Sequence, residues 1–334
     1  MDNTVKIAVD AMGGENSPSK IIDGIEISLK TNKNNFFFLY GREDELKKEI
    51  LKKKLIHNHY KIINSPDVVS DSESPLTAAK KGKESSMWQS IESQKNKYTD
   101  ISLSAGNTGA LLVMSRLLLS SIDGIHKPAL AGLWPNQNNM SIVLDLGANI
   151  ECNEKNLIDF ASMGSALFTS MFDKSCPKVA LLNVGLEEIK GTDSLKKAFS
   201  ILDNKKTNNF EFCGYIEGSQ IMNGDIDVII TDGFTGNIAL KTAEGTGNFI
   251  TKNLKSALNK ISILFSYKTL KKFKERLDPR KYNGAIFLGL QGPVVKSHGS
   301  TDAIGFANSI ETCHKIVKGD VVEKIKNHLI KVDA

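Results

Sequence analysis

Asp227-Val-Ile-Ile-Thr-Asp-Gly-Phe-Thr-Gly-Asn-Ile-Ala-Leu-Lys-Thr-Ala-Glu-Gly245 is a short β-branched run, then a glycine loop, then a helical pattern. An apolar run of that length bounded by glycine reads as a buried strand. Thr and Asn beside the glycines are residues that turn a chain and cap a helix start. The same rhythm recurs along the chain. Lys6–Asp10, Phe36–Tyr40, Lys61–Asn64, Ile101–Ser104, Ser141–Leu146 and Lys178–Asn183 are further strand candidates. Between them the segment after Pro18, Glu43–Leu55, Pro75–Gln94, Thr108–Ser121 and Asn153–Phe172 carry helical patterns. Strands alternating with longer helices predict parallel strands joined by crossover helices, hence an α/β class.

At roughly 150 residues per domain, the 334 residues allow two domains or one large α/β unit, and no repeat or Pro/Gly/Ser-rich linker marks a boundary. Hydrophobic residues at 40%, charged residues at 24%, and 26 Gly with 8 Pro exclude collagen-like and disordered classes. No apolar run approaches the ~18 residues of a membrane span. The amino terminus enters Val5-Lys-Ile-Ala-Val-Asp10 where a secretory signal would stay apolar. The chain is therefore expected to be neither spanning nor secreted. Cys152, Cys176, Cys213 and Cys313 are scattered, without zinc-like spacing, and are expected to be reduced thiols. The net charge of +5 is unevenly placed, because residues 250–282 hold ten Lys or Arg against two acids. Such local basicity calls for a local partner.

Ligands of parallel α/β sheets bind where strands lead into helix amino termini. Five glycine clusters follow expected strands: residues 10–14, 104–109, 145–149, 183–185 and 232–237. All five would then share one rim of the sheet. A helix amino terminus with free N–H groups favours anions. Ser104-Ala-Gly-Asn-Thr-Gly109 and Asp232-Gly-Phe-Thr-Gly-Asn237 both have that strand, glycine loop and helix context, so a phosphate-like ligand is expected there. Gly106, Asn107, Thr108 and Gly109, with Asp232, Gly233, Thr235 and Gly236, are the candidate phosphate-binding residues. A Walker loop is absent, and Gly245-Thr-Gly247 lacks the third glycine of a dinucleotide fingerprint. Gly289–Ser300 places Lys296, Ser297 and His298 between glycines, and Lys190 follows another strand; these are candidate cations and donors. Glu187 and Glu188 are adjacent and diverge, so one is expected to partner a lysine. The remaining histidines, His57, His59, His126, His314 and His328, lack a carboxylate or thiol constellation and read as structural.

Together IAVDAMGG, ESPLTAAKKGKESSM, LSAGNTGALL, KPALA, LDLGANIEC, FASMGSALF, PKVALLNVGLEEIKG, DVIITDGFTGNIALKTAEG and GPVVKSHGS resemble the phosphate acyltransferase family of bacterial phospholipid synthesis. The likeness runs from about Ile7 to Ser300. It departs at Glu15, where the family usually has Asp, and at Leu186, where it commonly runs Gly-Glu-Glu. The resemblance implies a single domain over residues 1–334, a three-layer αβα sandwich with a largely parallel sheet like isocitrate and isopropylmalate dehydrogenases. It further implies a cytoplasmic, membrane-associated homodimer that moves an acyl group from acyl-acyl-carrier-protein to inorganic phosphate and feeds a glycerol-3-phosphate acyltransferase at the membrane, with no cofactor, metal or nucleotide. Phosphate attacking a thioester needs a held dianion and donors where the carbonyl oxygen gains charge. A thiol leaving group of pKa about 8.5 needs no strong acid, which fits the lack of a Ser-His-Asp or Cys-His array. Lys190 and Asn237 are assigned to charge neutralisation, with Lys296 and His298 as supporting donors.

In residues 250–282, Ile250, Leu254, Leu258, Ile261 and Leu264 form one helical stripe beside Lys252, Lys255 and Lys260. Leu270, Phe273 and Leu277 form a second among Lys268, Lys271, Lys272, Lys274 and Arg276, with Phe265 in the apolar tip. The expected element is a basic amphipathic hairpin that meets an anionic membrane or the acidic carrier protein. Nucleic acid is disfavoured, since aromatics do not interleave with these lysines. A decarboxylating dehydrogenase of the same fold would need an arginine-rich pocket, and Arg42, Arg116, Arg276 and Arg280 are the only arginines. An inactive membrane or carrier-protein scaffold is the non-enzyme alternative.

Overall fold

The computed structural model describes residues 4–172, 174–257 and 278–330. The first part of the chain runs β1 (Val5–Asp10), α1 (Ser19–Thr31), β2 (Asn35–Gly41), α2 (Glu43–Ile50), β3 (Tyr60–Asn64), α3 (Pro75–Lys81), α4 (Ser86–Lys95), β4 (Ile101–Ser104) and α5 (Thr108–Leu119). There follow β5 (Ala129–Pro135), β6 (Met140–Leu144), α6 (Glu154–Met171), β7 (Lys178–Asn183), α7 (Asp193–Asn204), β8 (Glu211–Glu217), β9 (Val228–Ile230) and α8 (Gly233–Ala257). Beyond the gap lie β10 (Ala285–Leu288), β11 (Val294–Lys296), α9 (Ala303–Lys318) and α10 (Val321–His328).

Local chemistry fixes these boundaries. Asn153 caps α6, accepting from Asn156 N at 3.0 Å while the Asn156 side chain returns to the Asn153 amide at 3.2 Å. The stretch Pro75–Gln94, expected as one helix, is two. Ser85 turns extended and accepts from Trp88 N at 3.2 Å, so a new helix starts inside the pattern.

The strands form one sheet in the order β3-β2-β1-β4-β11-β10-β5-β6-β9-β7-β8. Strand alternation divides its two faces. Ile142, Leu144, Val228 and Ile230 point into the core shared with α1, α6 and α9, whereas Val143 and Ile229 point into a smaller cluster that Ala239, Leu240 and Ala243 of α8 cover. On that second face α3, α4 and α5 cover the other half, where Met87, Ile91, Leu111 and Met114 meet Phe287 and Val294. The layers are thus helix, sheet, helix, as expected of the αβα class.

The sheet is nevertheless not of one direction, which corrects the expectation of a single rim. β1–β4 and β11 are mutually parallel, as are β6, β7, β8 and β9, but β10 is antiparallel to β11 and β5, and β5 to β6. Three reversals leave the two parallel groups opposed. The turn between β5 and β6 shows one cause: the Asn136 Oδ1 accepts from the amides of Asn138 at 2.9 Å and Asn139 at 2.6 Å and folds the chain back on itself. Loops after β1, β4 and β11 therefore emerge at one end of the sheet, and those after β6, β7 and β9 at the other.

The basic stretch is only partly described. α8 continues unbroken to Ala257, carrying exposed Lys252 and the backbone of Lys255. Lys260, Phe265, Lys271, Lys272, Lys274 and Arg276 lie outside the described residues. Among the described residues no helix is long and apolar enough to cross a membrane.

Candidate functional site

Two loop clusters carry the residues singled out from the sequence. At the end of β1, β4 and β11, the organiser is Asp10, the last residue of β1 and 1% exposed. Its carboxylate accepts from Ser86 Oγ at 2.6 Å and Ser104 Oγ at 2.7 Å. Burial pushes this carboxyl above its ordinary value and the two serines pull it back in part. Ser104 also accepts from Gly106 N at 3.0 Å, so one hydroxyl joins two loops. Gly13 must be glycine here: a Cβ would stand 2.5 Å from Asp10 Oδ2 and 2.7 Å from Gly106 N.

Around these loops sit two buried lysines. Lys20, in the first turn of α1, is 6% exposed and donates to the Gly299 carbonyl. Lys296, the last residue of β11, is 9% exposed and donates to the carbonyls of Ser297 and, at 3.5 Å, Ala105. Desolvation brings the Lys296 ammonium down to about 8, with Asp71 and Asp10 opposing and Lys20 reinforcing that fall. His298 is exposed; its amide donates to Asn283 Oδ1 at 2.9 Å, and its Nδ1 receives the Ser300 amide at 3.3 Å. A neutral ring that accepts at Nδ1 carries its proton on Nε2. Partial burial and then Lys296 lower the His298 pKa, which favours that neutral form.

The Ser104–Gly109 loop ends in a true helix start. Asn107 Oδ1 accepts from Ala110 N at 3.0 Å, and its Nδ2 donates to the carbonyls of Ser70, Asp71 and Glu73 at 2.9–3.2 Å. That side chain is fully engaged in tying the 70–73 segment to α5. The main-chain amides of Asn107, Thr108 and Gly109 have no acceptor among the described residues.

At the other end, Asp145 follows β6 and is fully buried. It accepts from the amides of Leu130, Gly147, Ala148 and Asn149 at 2.7–3.1 Å and from Asn149 Nδ2 at 2.8 Å. Burial raises this carboxyl too, against those donors. The Asp232–Asn237 loop is locked onto it, since a Cβ on Gly236 would stand 2.0 Å from the Asp145 carbonyl. Here the amides are largely used: Gly233 N reaches Asn149 O at 2.8 Å, Gly236 N reaches Asp232 O at 2.9 Å, and Thr235 N and Oγ1 both reach the Asp232 carboxylate at 2.8 Å. A carboxylate thus already occupies the amino terminus of α8. What the loop presents outward is Asn237, exposed and packed over Gly147, whose φ is +126°.

Lys190 belongs to this end, in the loop after β7. Its exposed ammonium pairs with Glu187 Oε1 at 2.8 Å, the acid–lysine pairing expected of that loop. The lysine stem lies on Gly185, where a Cβ would be 2.4 Å from Lys190 Cδ. Asn183 Nδ2 fixes the loop by donating to the Lys190 carbonyl at 3.2 Å. Exposed Val184, Leu186, Ile189, Phe234 and Ile238 bracket Lys190 and Asn237 in sequence. Burial pushes the nearby Cys152 thiol up to about 11, so it stays protonated rather than nucleophilic.

The two clusters are bridged by α8. It starts at Gly233, and about three turns on, or ~16 Å along the axis, Lys241 and Glu244 are close enough to act on the charge of His298. The structure thus separates residues that the sequence reading put on one rim, with Lys190, Asn237 and the Asp232–Gly236 loop at one end and Gly106–Gly109, Lys296 and His298 at the other. That reading missed Lys20, Asp71, Ser86 and the organising roles of Asp10 and Asp145. One signal was available: a lysine in the first turn of a helix opposes the helix dipole.

The chain matches the family model described as fatty acid synthesis protein over residues 5–324. It is 57% identical over 334 residues to a phosphate acyltransferase of Pelagibacter ubique (strain HTCC1062), covering 98% of this chain and 100% of that one. A phosphate acyltransferase of Rhodospirillum rubrum is 40% identical over 337 residues, covering 99% and 96%. Among solved structures, phosphotransacetylases from Streptococcus pyogenes (TM-score 0.62, 16% identity, 96% and 94% covered) and Staphylococcus aureus (0.60, 15%, 97% and 95%) share the fold. With a family model spanning nearly all of it and relatives so similar over their full length, the chain belongs to the phosphate acyltransferase family.

Proposed function

We propose that this protein transfers a long-chain fatty acyl group from acyl-acyl-carrier-protein to inorganic phosphate, giving an acyl phosphate for glycerophospholipid synthesis. Acyl transfer to phosphate is the family's activity; the donor and the use of the product are our reading. What supports it is the pair Lys190 and Asn237, an exposed ammonium and an exposed amide, each in a loop whose sequence also carries exposed apolar residues, Val184, Leu186 and Ile189 before the lysine and Phe234 and Ile238 about the asparagine. Exposed apolar side chains in the same two loops as the oxyanion donors suit a fatty acyl thioester. A phosphate oxygen attacks the carbonyl carbon, forming C–O. The tetrahedral oxyanion is met by Lys190 and Asn237, then C–S breaks and the thiolate takes a proton from solvent. His298, with Nε2–H outward, is assigned as a supporting donor.

The same reading includes a homodimer at the inner face of the cell membrane, docked through the 250–282 segment and handing acyl phosphate to a glycerol-3-phosphate acyltransferase. Neutralising Lys271, Lys272 and Lys274 together is expected to weaken binding to anionic liposomes or carrier protein in a salt-sensitive way, and unchanged binding to both would remove that segment's role.

The test of the reaction is thiol release from palmitoyl-acyl-carrier-protein with and without inorganic phosphate, the product being trapped with hydroxylamine. Phosphate-dependent release with trapped hydroxamate is expected; carrier-protein binding without release would favour the scaffold.

A further inference from the structure

We propose that Asn183 is a positioning residue for the reaction, fixing from inside the protein where the exposed ammonium of Lys190 stands. That role rests on the oxyanion function given to Lys190 above, and it names the residue through which that function depends on the fold.

A donor for a developing oxyanion has to be held within about 0.5 Å of its place. Lysine is poorly made for this, being a point charge on a flexible four-carbon stem. Lys190 stands, moreover, in a loop rather than on a helix or strand, and its ammonium is exposed. The ion pair with Glu187 joins two side chains of that same loop, so it does not relate the loop to the sheet. What relates it is Asn183, the last residue of β7 and 7% exposed.

Both ends of the Asn183 side-chain amide are spent on the loop. Its Oδ1 accepts from Val184 N at 2.9 Å, where the loop leaves the strand, and its Nδ2 donates to the Lys190 carbonyl at 3.2 Å, where the loop returns. The first bond fixes the course of the chain into Gly185, the floor on which the lysine stem lies: a Cβ there would be 2.4 Å from Lys190 Cδ and 2.8 Å from its Nζ. The second fixes the main chain from which that stem grows. The Lys190 amide is tied as well, donating to the Glu187 carbonyl at 3.0 Å. Gly191 then turns at a φ of +91°, and a Cβ on it would stand 2.4 Å from Asn183 Oδ1, so glycine is what lets the loop close against the asparagine. Thr192 follows at once as the cap of α7, accepting from Leu195 N at 3.3 Å. Closing the loop in this way takes a short side chain that both accepts and donates. Aspartate has the same shape and keeps the acceptor for Val184, but it sets a second acceptor against the Lys190 carbonyl. Asn183 is turned to main chain and reaches the reaction only through Lys190.

The experiment is a double-mutant cycle on the full chain, with the wild type, Asn183→Asp, Lys190→Ala and the double variant, reading phosphate-dependent thiol release from palmitoyl-acyl-carrier-protein. Asn183→Asp is expected to lower kcat at least tenfold, in line with the large cost of misplacing a reacting group by about 1 Å, while KM for phosphate and for the carrier protein stays within twofold. In the Lys190→Ala chain the same substitution is expected to change kcat less than twofold, since no ammonium is left to position. A loss from Asn183→Asp that is as large without Lys190 as with it overturns the proposal and makes the asparagine a general support of the loop. A kcat within twofold of wild type in Asn183→Asp, with Lys190→Ala impaired, also overturns it and leaves the oxyanion reading standing. A wild type that releases no thiol, or a Lys190→Ala chain of wild-type kcat, removes the reading of Lys190 and the role of Asn183 with it. Should the asparagine variants not fold, Gly191→Ala pushes on the same side chain from the other side and is judged by the same cycle against Lys190→Ala.

Discussion

The two ends of the sheet use the same device, a buried aspartate at the foot of a central strand, and equip it oppositely. Asp10 is held by two hydroxyls and, at 3.4 Å, by the Met12 amide, leaves the amides of Asn107, Thr108 and Gly109 free, and has buried lysines beside it. Asp145 consumes four amides and a side-chain amide, and the α8 start beside it is already occupied by Asp232. One end is left electropositive and able to take an anion. The other is saturated inside and offers exposed donors and apolar side chains outside.

The sharpest way to break this division is at the saturated end. Lys190→Ala and Asn237→Ala should each lower kcat about 10²-fold or more, the usual cost of one oxyanion donor, while KM for phosphate stays within twofold. A change confined to KM would move both residues to phosphate binding and erase the contrast. Next in size is the difference between the two aspartates. Asp145→Asn turns a donor toward Asn149 N and Nδ2, leaving buried groups opposed at a cost of about 3 kcal/mol, whereas the hydroxyls on Asp10 can rotate, so Asp10→Asn should cost about 1 kcal/mol. Urea midpoints at constant slope measure this; equal losses would show that the two aspartates are equivalent.

How much of this was legible beforehand follows the same line. The β1, β4, β6, β7 and β9 strands and the loops after them declare themselves, because a buried parallel strand is a continuous apolar run that ends at glycine. β10 and β11 do not: Ala285–Leu288 and Val294–Lys296 are four and three residues long, embedded in a glycine-rich stretch that reads as loop. Their antiparallel pairing is a long-range event that no local pattern encodes, and with it goes the opposition of the two ends. Lys190 and Asn237 could be picked out because they stand beside glycines at strand ends. Lys20 offered only its place against the helix dipole, because its contact with the Gly299 carbonyl, 279 residues away along the chain, is encoded in no local pattern.

A smaller effect separates the two ends by pH. Lys296 titrates near 8 in the folded chain, below its ordinary 10.5. It is charged below that pH and neutral above it, so kcat/KM for phosphate, which reports the free enzyme, should fall several-fold between pH 7.5 and 9.5. The dianion fraction of phosphate only rises over that range, so its own titration does not produce the fall. The groups facing Lys296 are Asp71, Lys20 and Asp10. A Lys296→Met chain should lose the dependence along with the affinity, and a slope that survives in it would place the titrating group elsewhere.

The smallest expected effect concerns Glu187, whose ion pair with Lys190 lies in open solvent at the other end. Exposed pairs contribute little to folding, so Glu187→Gln should leave the urea midpoint unmoved. Its consequence is for the ammonium. Glu187 holds the Lys190 charge through a hydrogen bond and raises its pKa above the ordinary value, but the same bond competes with the oxyanion for that ammonium. Releasing it should raise kcat about twofold at pH 7, where Lys190 stays protonated either way, and leave phosphate affinity unchanged. A kcat that falls as far as in Lys190→Ala would instead make Glu187 the residue that positions the lysine, and would show that the exposed end depends on its ion pair as fully as the buried end depends on having none.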